Sequence, residues 1–305
     1  MFRKLISVCA VAALAVGVGS APAAAAPADT DIRVMAFNIH HGADRTDVLD
    51  LERVAGVIED SGAEIIGLQE VDNHWSSRSD FQDQAAVLAE RLGMHYAYAA
   101  NLNLDPAAGQ TERRQYGTAI LSEYPILSSG NHLLTSIEYA ERPTEQRGLL
   151  EAVINVEGNH ISVYNTHLDH QRSEQRQSQV KEILDITGES ERPAVLVGDL
   201  NAVPGTPEME SILTEFDDVF DELGQDNAYT YPVVNPNRRI DYILTRGDVE
   251  PRHAEVINSM SSDHLPIIAD LTIPQSPTAS PSSSVRIAQI GEYRRTPDRG
   301  RYFPN

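Results

Sequence analysis

The stretch Pro193–Pro204, PAVLVGDLNAVP, sets the problem. Ala194 to Val197 form an apolar run with no polar residue alternating through it, the pattern of a strand buried on both faces. Gly198 then reads as the point where the backbone turns. Asp199 and Asn201 follow at the strand's carboxyl end, ahead of a proline-marked loop. Asp and Asn favour loops because they bond their own backbone, which is one explanation. A site for a metal and a phosphate is the other.

The same pattern recurs along the chain. DIRVMAFNIHHG reads as a strand ending at Asn38, and AEIIGLQEV as another with Gln69 and Glu70 at its carboxyl end. GLLEAVINVEGNHISVYNTHL alternates on both arms of a hairpin turning at Gly158–Asn159, and its return arm delivers Asn165 and His167. RIDYILTRG supplies Asp241 as a further strand-end carboxylate, and SSDHLP sets Asp263 and His264 just before the final strand. MHYAYAA, YGTAILSEYPI, VEPRHAEVI and HLPIIADLTI are the other strands. Helices are expected over TDVLDLERVAGVIEDSG, with Leu49, Val54, Val57 and Ile58 inward, and over DQAAVLAERLG, SEQRQSQVKEILDITG and TPEMESILTEF. Hairpins mixed with helices predict an α+β or mixed α/β sandwich, two sheets covered by helices.

The chain's 305 residues suit such a domain, and its ends stand apart from it. MFRK, then LISVCAVAALAVGVG, then a small-residue zone form the pattern of a secretory signal peptide over residues 1–26, cleaved near Ala26. The apolar run is short for a membrane-spanning helix and ends in Ala and Pro. The expectation is a secreted, extracellular protein. Its one cysteine, Cys9, falls inside the leader, so the domain at 27–273 rests on its core and bound ions, not on disulfides. Residues 274–285 are a Pro/Ser/Thr linker. Residues 286–305 form a basic tail with the composition of a disordered end, and contact with an anionic surface is the functional alternative. The formal charge of −21 disfavours broad electrostatic binding of nucleic acid, although a basic cleft or a bound cation can reverse the sign locally.

The strand-end residues make one chemical set. Asn38, Glu70 and Asp263 offer oxygen to a hard cation, Mg²⁺ first, with Mn²⁺ and Ca²⁺ as alternatives. No His/Cys zinc spacing occurs, and the adjacent His40–His41 lack the helical spacing that would bring both imidazoles to one ion. His264 is the candidate base with Asp241 as its orienting partner, and Asp199 is placed to position an attacking water. Asn201, His167, Tyr116 and Arg147 are candidate donors to phosphoryl oxygens.

This constellation resembles the endonuclease/exonuclease/phosphatase superfamily, the metal-dependent hydrolases with a DNase-I-like fold. MAFNIHHG, IIGLQEV, YGTAILSEYPI, YNTHLDH, LVGDLN, RIDYIL and SSDHLPI occur in the family's order, from Ile32 to Ile273. The resemblance implies a four-layer sandwich, two central mixed sheets flanked by helices, with the site at one edge. It implies that Asn38 and Glu70 bind metal with help from Asp263, and that Asp199 and Asn201 handle water and phosphate. Asp241 with His264 would be the base pair, and His167 would contact a phosphoryl oxygen. Tyr116, Arg147 and His170 are carried as substrate-binding candidates; Asp169, His170 and Arg172, directly after NTHL, are read either as lining the substrate pocket or as a solvated turn. Arg113 and Arg114, in a polar loop expected over residues 102–117, are candidates to hold a second phosphate or a nucleic-acid backbone.

The superfamily cleaves nucleic acids, lipid headgroups and other phosphate esters, so fold and site do not name the substrate. Export and an acidic surface favour a phosphodiesterase acting on a lipid headgroup or small phosphodiester, with a secreted nuclease acting on DNA or RNA as the alternative. A binding module that keeps the fold without chemistry is the non-enzymatic alternative, and no stable protein partner is implied.

Overall fold

The computed structural model describes residues 29–273 apart from 142 and 226, so the expected leader, linker and tail lie outside the described residues. In chain order the strands are β1 (Thr30–Asn38), β2 (Ile65–Asn73), β3 (His95–Leu104), β4 (Arg114–Ser122), β5 (Ile126–Leu133) and β6 (Gly148–Val156). They continue with β7 (Asn159–His167), β8 (Ala194–Asp199), β9 (Asp217–Asp218), β10 (Asp241–Arg246), β11 (Glu250–Val256) and β12 (Ile267–Ile273). The helices are α1 (Leu51–Ser61), α2 (Gln84–Leu92), α3 (Ser173–Thr187), α4 (Pro207–Ile212) and α5 (Val219–Glu222).

Two six-stranded sheets result, ordered β11-β12-β1-β2-β4-β3 and β5-β6-β7-β8-β10-β9. Both are mixed: β1 runs parallel to β2 and β7 parallel to β8, while the other pairings are antiparallel. Strand alternation builds the layers. Ile32, Val34 and Ala36 of β1 share a buried cluster with Val195, Val197 and Ile243 of the opposite sheet. The intervening Met35 and Phe37 turn outward onto Val54, Ile58 and Leu88 of α1 and α2. On the far side Leu196, Tyr242 and Leu244 pack with Val180, Ile183 and Met209 of α3 and α4. The order is helix, sheet, sheet, helix, which is the DNase-I-like sandwich. Each buried aliphatic side chain contributes about 1.5–3 kcal/mol, so three such clusters hold the layers together without a disulfide.

Several local expectations need correction. Gly198 lies inside β8, and its role is close approach: a Cβ there would stand 2.2 Å from the carbonyl oxygen of Thr166 on β7. The hairpin turns at Glu157–Gly158, with φ of +53° and +100°, and Asn159 already belongs to β7. Two positive φ values make this the primed turn whose twist suits a two-residue hairpin. Leu49 precedes α1 and bridges Ala43, while Asp50 caps the helix by accepting from the Arg53 amide at 2.9 Å. Ala55 joins Val54 and Ile58 as fully buried, and Val57 is half-buried.

Asn165 and Gln69 read in the sequence as phosphate-site residues, yet both are buried away from solvent. Asn165 donates to the carbonyls of Leu68 and Ala119 at 2.9 and 2.7 Å and accepts from the Gln69 amide at 2.7 Å. The carboxamide thus staples β7 to the facing sheet. Asn165→Ala strands these partners in a dry core, where each unsatisfied group costs about 1–3 kcal/mol. Denaturant unfolding is expected to show a loss of at least about 2 kcal/mol. An unchanged midpoint would mean that the staple carries no net stability.

Candidate active site

Strand register explains why distant residues meet. His167, Asp199 and Asp241 lie on one rung across β7, β8 and β10, since His167 pairs with Asp199 and Asp199 with Asp241. Asp241 therefore begins its strand rather than ending it. Because β10 runs antiparallel to β8, its first residue reaches the same edge as the last residue of β8. In the other sheet Asn38 pairs with Gln69, and Ala36 with Ile267 at the start of β12, which brings the 261–264 loop alongside. Ser262 Oγ fixes that loop by donating to the Asn38 carbonyl at 2.7 Å.

Glu70 does not end its strand either. Leu68 pairs with Ala119 and Val71 with Gly117, so Gln69 and Glu70 together oppose Thr118 alone. That is a β-bulge, with Glu70 at φ +59°, and it re-aims the carboxylate out of the pleat toward the site. Asn38 then joins the two sheets: its Nδ2 donates to Glu70 Oε1 and to Asp199 Oδ2, both at 3.1 Å. Its Oδ1 accepts from the His40 amide at 3.1 Å, so the carboxamide bridges two carboxylates and its oxygen is already engaged.

Asp199 is the hub. Oδ1 accepts from the Asn201 amide at 2.9 Å, while Oδ2 lies 3.4 Å from His167 Nε2 and 3.7 Å from His264 Nε2. His264 Nδ1 donates to Asp241 at 2.9 Å, which orients the ring and leaves Nε2 facing Asp199. The Tyr231 ring packs against the imidazole at 4.6 Å. Asn201, at φ +49°, gives its side-chain amide to the Leu168 carbonyl at 3.1 Å. Arg147 can only donate, so His167 Nδ1, 3.1 Å from Nη1, accepts, and the ring proton sits on Nε2.

The electrostatics follow from burial. Burial and then the charge of Asp241 push Asp199 up to about 7. Burial alone would lower His264, but the combined pull of Asp241, Asp199 and Asp263 raises it to about 10. His167 is driven well below its ordinary value by burial and by Arg147, so it stays a neutral donor. Burial, then Asp263, raises Glu70 against the opposing bond from Asn38.

These carboxylates form a cation-deficient cluster. Among the described residues neither Glu70 nor Asp263 makes a salt bridge, although each lies in the other's field. Two hard oxygen donors with no salt-bridge partner among the described residues suit a divalent cation. Glu70 and Asp263 are the residues that could hold it. Asp199, Asp241 and His264 also bring ligand atoms within 4.8 Å of one another, but His264 Nδ1 and Asp241 already satisfy each other.

The remaining candidates divide. Tyr116 and Arg147 are buried at the site's flank, and Arg147 Nη1 pairs with Glu145 at 2.7 Å. His170 is exposed, with Nδ1 3.4 Å from Arg147 Nη2. Asp169 is a turn residue that accepts from the Gln171 and Arg172 amides, and Arg172 stacks over Tyr139 at 3.9 Å. Arg113 is held within its own loop by Asp105 and Asn103, and β3 and β4 shorten that loop to residues 105–113. His40 and His41 both have φ of +46°, which turns the adjacent imidazoles together. With Asp47 their ligand atoms fall within 4.8 Å, so the left-handed backbone supplies the convergence that their sequence spacing argued against. Sequence reading missed Asp72, Trp75 and Arg78, because nothing in VDNHWSSRS signals that a buried carboxylate fixes the arginine.

The chain belongs to the endonuclease/exonuclease/phosphatase family, whose model matches residues 35–264. Members of that family are phosphoric ester hydrolases that use a divalent metal. It is similar to the endonuclease/exonuclease/phosphatase from Beutenbergia cavernae, at 26% identity and a TM-score of 0.65, covering 80% of this chain and 72% of that one. The human Nocturnin catalytic domain, solved with bound sulfate, shares the fold at 21% identity and a TM-score of 0.60, covering 80% of this chain and 94% of that one. Protein cwh43 of Schizosaccharomyces pombe is 30% identical over 179 residues, 58% of this chain. The matched region is 17% of that curated relative's length.

Proposed function

We propose that this chain is a secreted, Mg²⁺-dependent phosphodiesterase that cleaves a lipid headgroup or small phosphodiester by direct attack of water. The observation that carries the chemistry is Asp199, held by Asn38 and the Asn201 amide and faced by two imidazoles with opposite roles. His167, neutral and protonated on Nε2, donates to a phosphoryl oxygen. Asn201 supports the same oxygen, and Arg147 fixes His167. Asp199 orients the water, and His264, steered by Asp241, accepts its proton. A divalent cation at Glu70 and Asp263, when bound, polarises the phosphoryl group and stabilises charge on the leaving oxygen. His264 takes the proton as the neutral imidazole, the form that a cation held at Glu70 and Asp263 would favour against the pull of Asp241, Asp199 and Asp263.

Support for a lipid-borne substrate comes from the rim. Val203, Tyr229, Val234 and Met260 are exposed apolar residues on the loops that follow Asn201 and flank His264. Those loops are joined by Val233 N to Asp263 O at 2.7 Å and Leu265 N to Thr230 O at 2.8 Å. Apolar side chains around a phosphate site suit a headgroup presented from a membrane. The leader pattern at residues 1–26 is the support for export.

Hydrolysis of bis(p-nitrophenyl) phosphate with Mg²⁺, Mn²⁺ or Ca²⁺, alongside sphingomyelin, phosphatidylinositol, plasmid DNA and RNA, tests this reading. Turnover on lipid or small diesters above nucleic acid is expected. Preferential cleavage of DNA or RNA would install the nuclease alternative. The metal has its own test. Glu70→Gln is expected to raise the Mg²⁺ concentration for half-maximal activity by at least the roughly tenfold that even outer-shell partners are worth. Its metal-free melting temperature should hold or rise, because a carboxylate repelled by Asp263 is removed. A fall in melting temperature with unchanged Mg²⁺ dependence would make Glu70 structural.

A further inference from the structure

On this strongly acidic chain, two arginines are gathered against one aromatic pair beside the site. Trp75 and Tyr116 pack with ring centroids 5.8 Å apart. The Arg78 guanidinium lies 5.7 Å from the Trp75 centroid and 5.6 Å from that of Tyr116, and Arg114 lies 4.9 Å from Trp75. Arg78 is fixed further by a two-pronged bond: Nε and Nη2 donate to the oxygens of Asp72 at 2.9 and 2.7 Å. The Asp72 side chain is wholly buried while that of Arg78 is 40% exposed, so the fork is anchored at its base and open at its tip. Asp72 and Tyr116 are cross-strand partners on β2 and β4, which explains why the anchor and the ring meet. Arg114 Nε donates to the Trp75 carbonyl at 2.7 Å. Nη1 of Arg78 and both Nη atoms of Arg114 meet no acceptor among the described residues.

This wall borders the chemistry. Tyr116 stands within the electrostatic reach of Glu70, Arg147 and Arg78 together. A guanidinium held by a buried carboxylate and two ring faces has already lost most of its conformational freedom, so an incoming anion need not order it. Fastening the loop would need the Asp72 bond alone. The ring contacts and the open edge add a preorganised donor that points to an anionic ligand.

We propose that Arg78, with Arg114 beside it, forms a second anion-binding subsite that holds a substrate phosphate other than the one being hydrolysed. The proposal rests on the phosphoesterase reading for the position of the scissile group. It adds that the substrate carries a further phosphate, whether from a bisphosphorylated small molecule or headgroup or from a neighbouring nucleotide.

Calorimetric binding at fixed free Mg²⁺ tests the subsite without relying on turnover. One arm compares glucose 1,6-bisphosphate with glucose 6-phosphate, and the other compares the dinucleotide pTpT with thymidine 5′-phosphate. Wild type is expected to bind the two-phosphate member of one arm roughly tenfold or more tighter, the scale of a charge-assisted bond, and the responding arm identifies the source. Arg78→Gln should bring that ratio close to one, and Arg78→Lys, which keeps the charge but loses the fork, should fall between. No preference in either arm, or a preference that survives Arg78→Gln, would overturn the subsite. So would a lower melting temperature with both ligands of a pair weakened alike, which is the signature of a loop fastener. Absence of hydrolysis with the binding ratio intact would count against the phosphoesterase reading instead.

Discussion

A His264→Ala enzyme is expected to lose about 10²-fold or more in kcat on bis(p-nitrophenyl) phosphate at saturating Mg²⁺, the range set by removing a positioned general base. His264 is buried, its Nδ1 is committed to Asp241 at 2.9 Å, and its Nε2 points at Asp199 from 3.7 Å. Of the two imidazoles that face Asp199, His264 alone has a carboxylate on its far nitrogen: His167 has Arg147 there and is held neutral with its proton on the site-facing nitrogen, so it donates. Alanine also leaves the buried Asp241 without its partner, which can lower stability. His264→Gln restores a donor toward Asp241 without a titrating ring, and it separates the two effects. The expected result is a folded His264→Gln protein that is as slow as the alanine variant. Turnover close to wild type in either would move proton acceptance to Asp199.

Asp241→Asn should be at least as damaging, on the order of 10³–10⁴-fold in kcat, by the logic of a wrongly set tautomer. A carboxylate accepts from Nδ1 and so leaves Nε2 free to take a proton. A carboxamide that turns its NH₂ toward the ring asks Nδ1 to accept, which transfers the ring proton to Nε2 and blocks it. The substitution is nearly isosteric on the first residue of β10, and the backbone bond to Thr230 Oγ1 at 3.4 Å does not involve the side chain. The two residues act as a unit, so the double variant Asp241→Asn, His264→Ala should be little slower than the worse single one. Multiplicative losses, read from kcat for the four proteins, would mean that Asp241 and His264 work independently.

The layers and the strand-end positions of several candidate residues were legible, because buried strands read as unbroken apolar runs and hairpins as alternation. The unbroken apolar runs at 34–37 and 194–197 mark strands buried on both faces, and Asn38, His167 and Asp199 close their strands where the sequence puts them. What stayed hidden depends on pairing between distant strands. Asp241 reads as a strand-end residue like the others, and only the antiparallel register of β10 against β8 shows why its start reaches the site. The bulge at Glu70 inserts a residue that period-two reading cannot detect. Asn165 and Gln69 carry the same side-chain chemistry as the residues gathered around Asp199, yet they lie between the sheets and bond to each other and to backbone carbonyls. Asp72 and Arg78 meet across a turn of the chain, where sequence spacing carries no geometric rule.

The central claim is that Glu70 and Asp263 hold one divalent ion while Asp199, Asp241 and His264 perform the proton work beside it. Mn²⁺ binding followed by electron paramagnetic resonance, run with turnover on wild type, Glu70→Gln and His264→Ala, tests it most directly. The expected result is that His264→Ala binds Mn²⁺ as wild type does but fails to turn over, whereas Glu70→Gln loses affinity and activity together. Mn²⁺ affinity indifferent to Glu70 and abolished in His264→Ala would contradict it, placing the ion on the histidine side of the cleft.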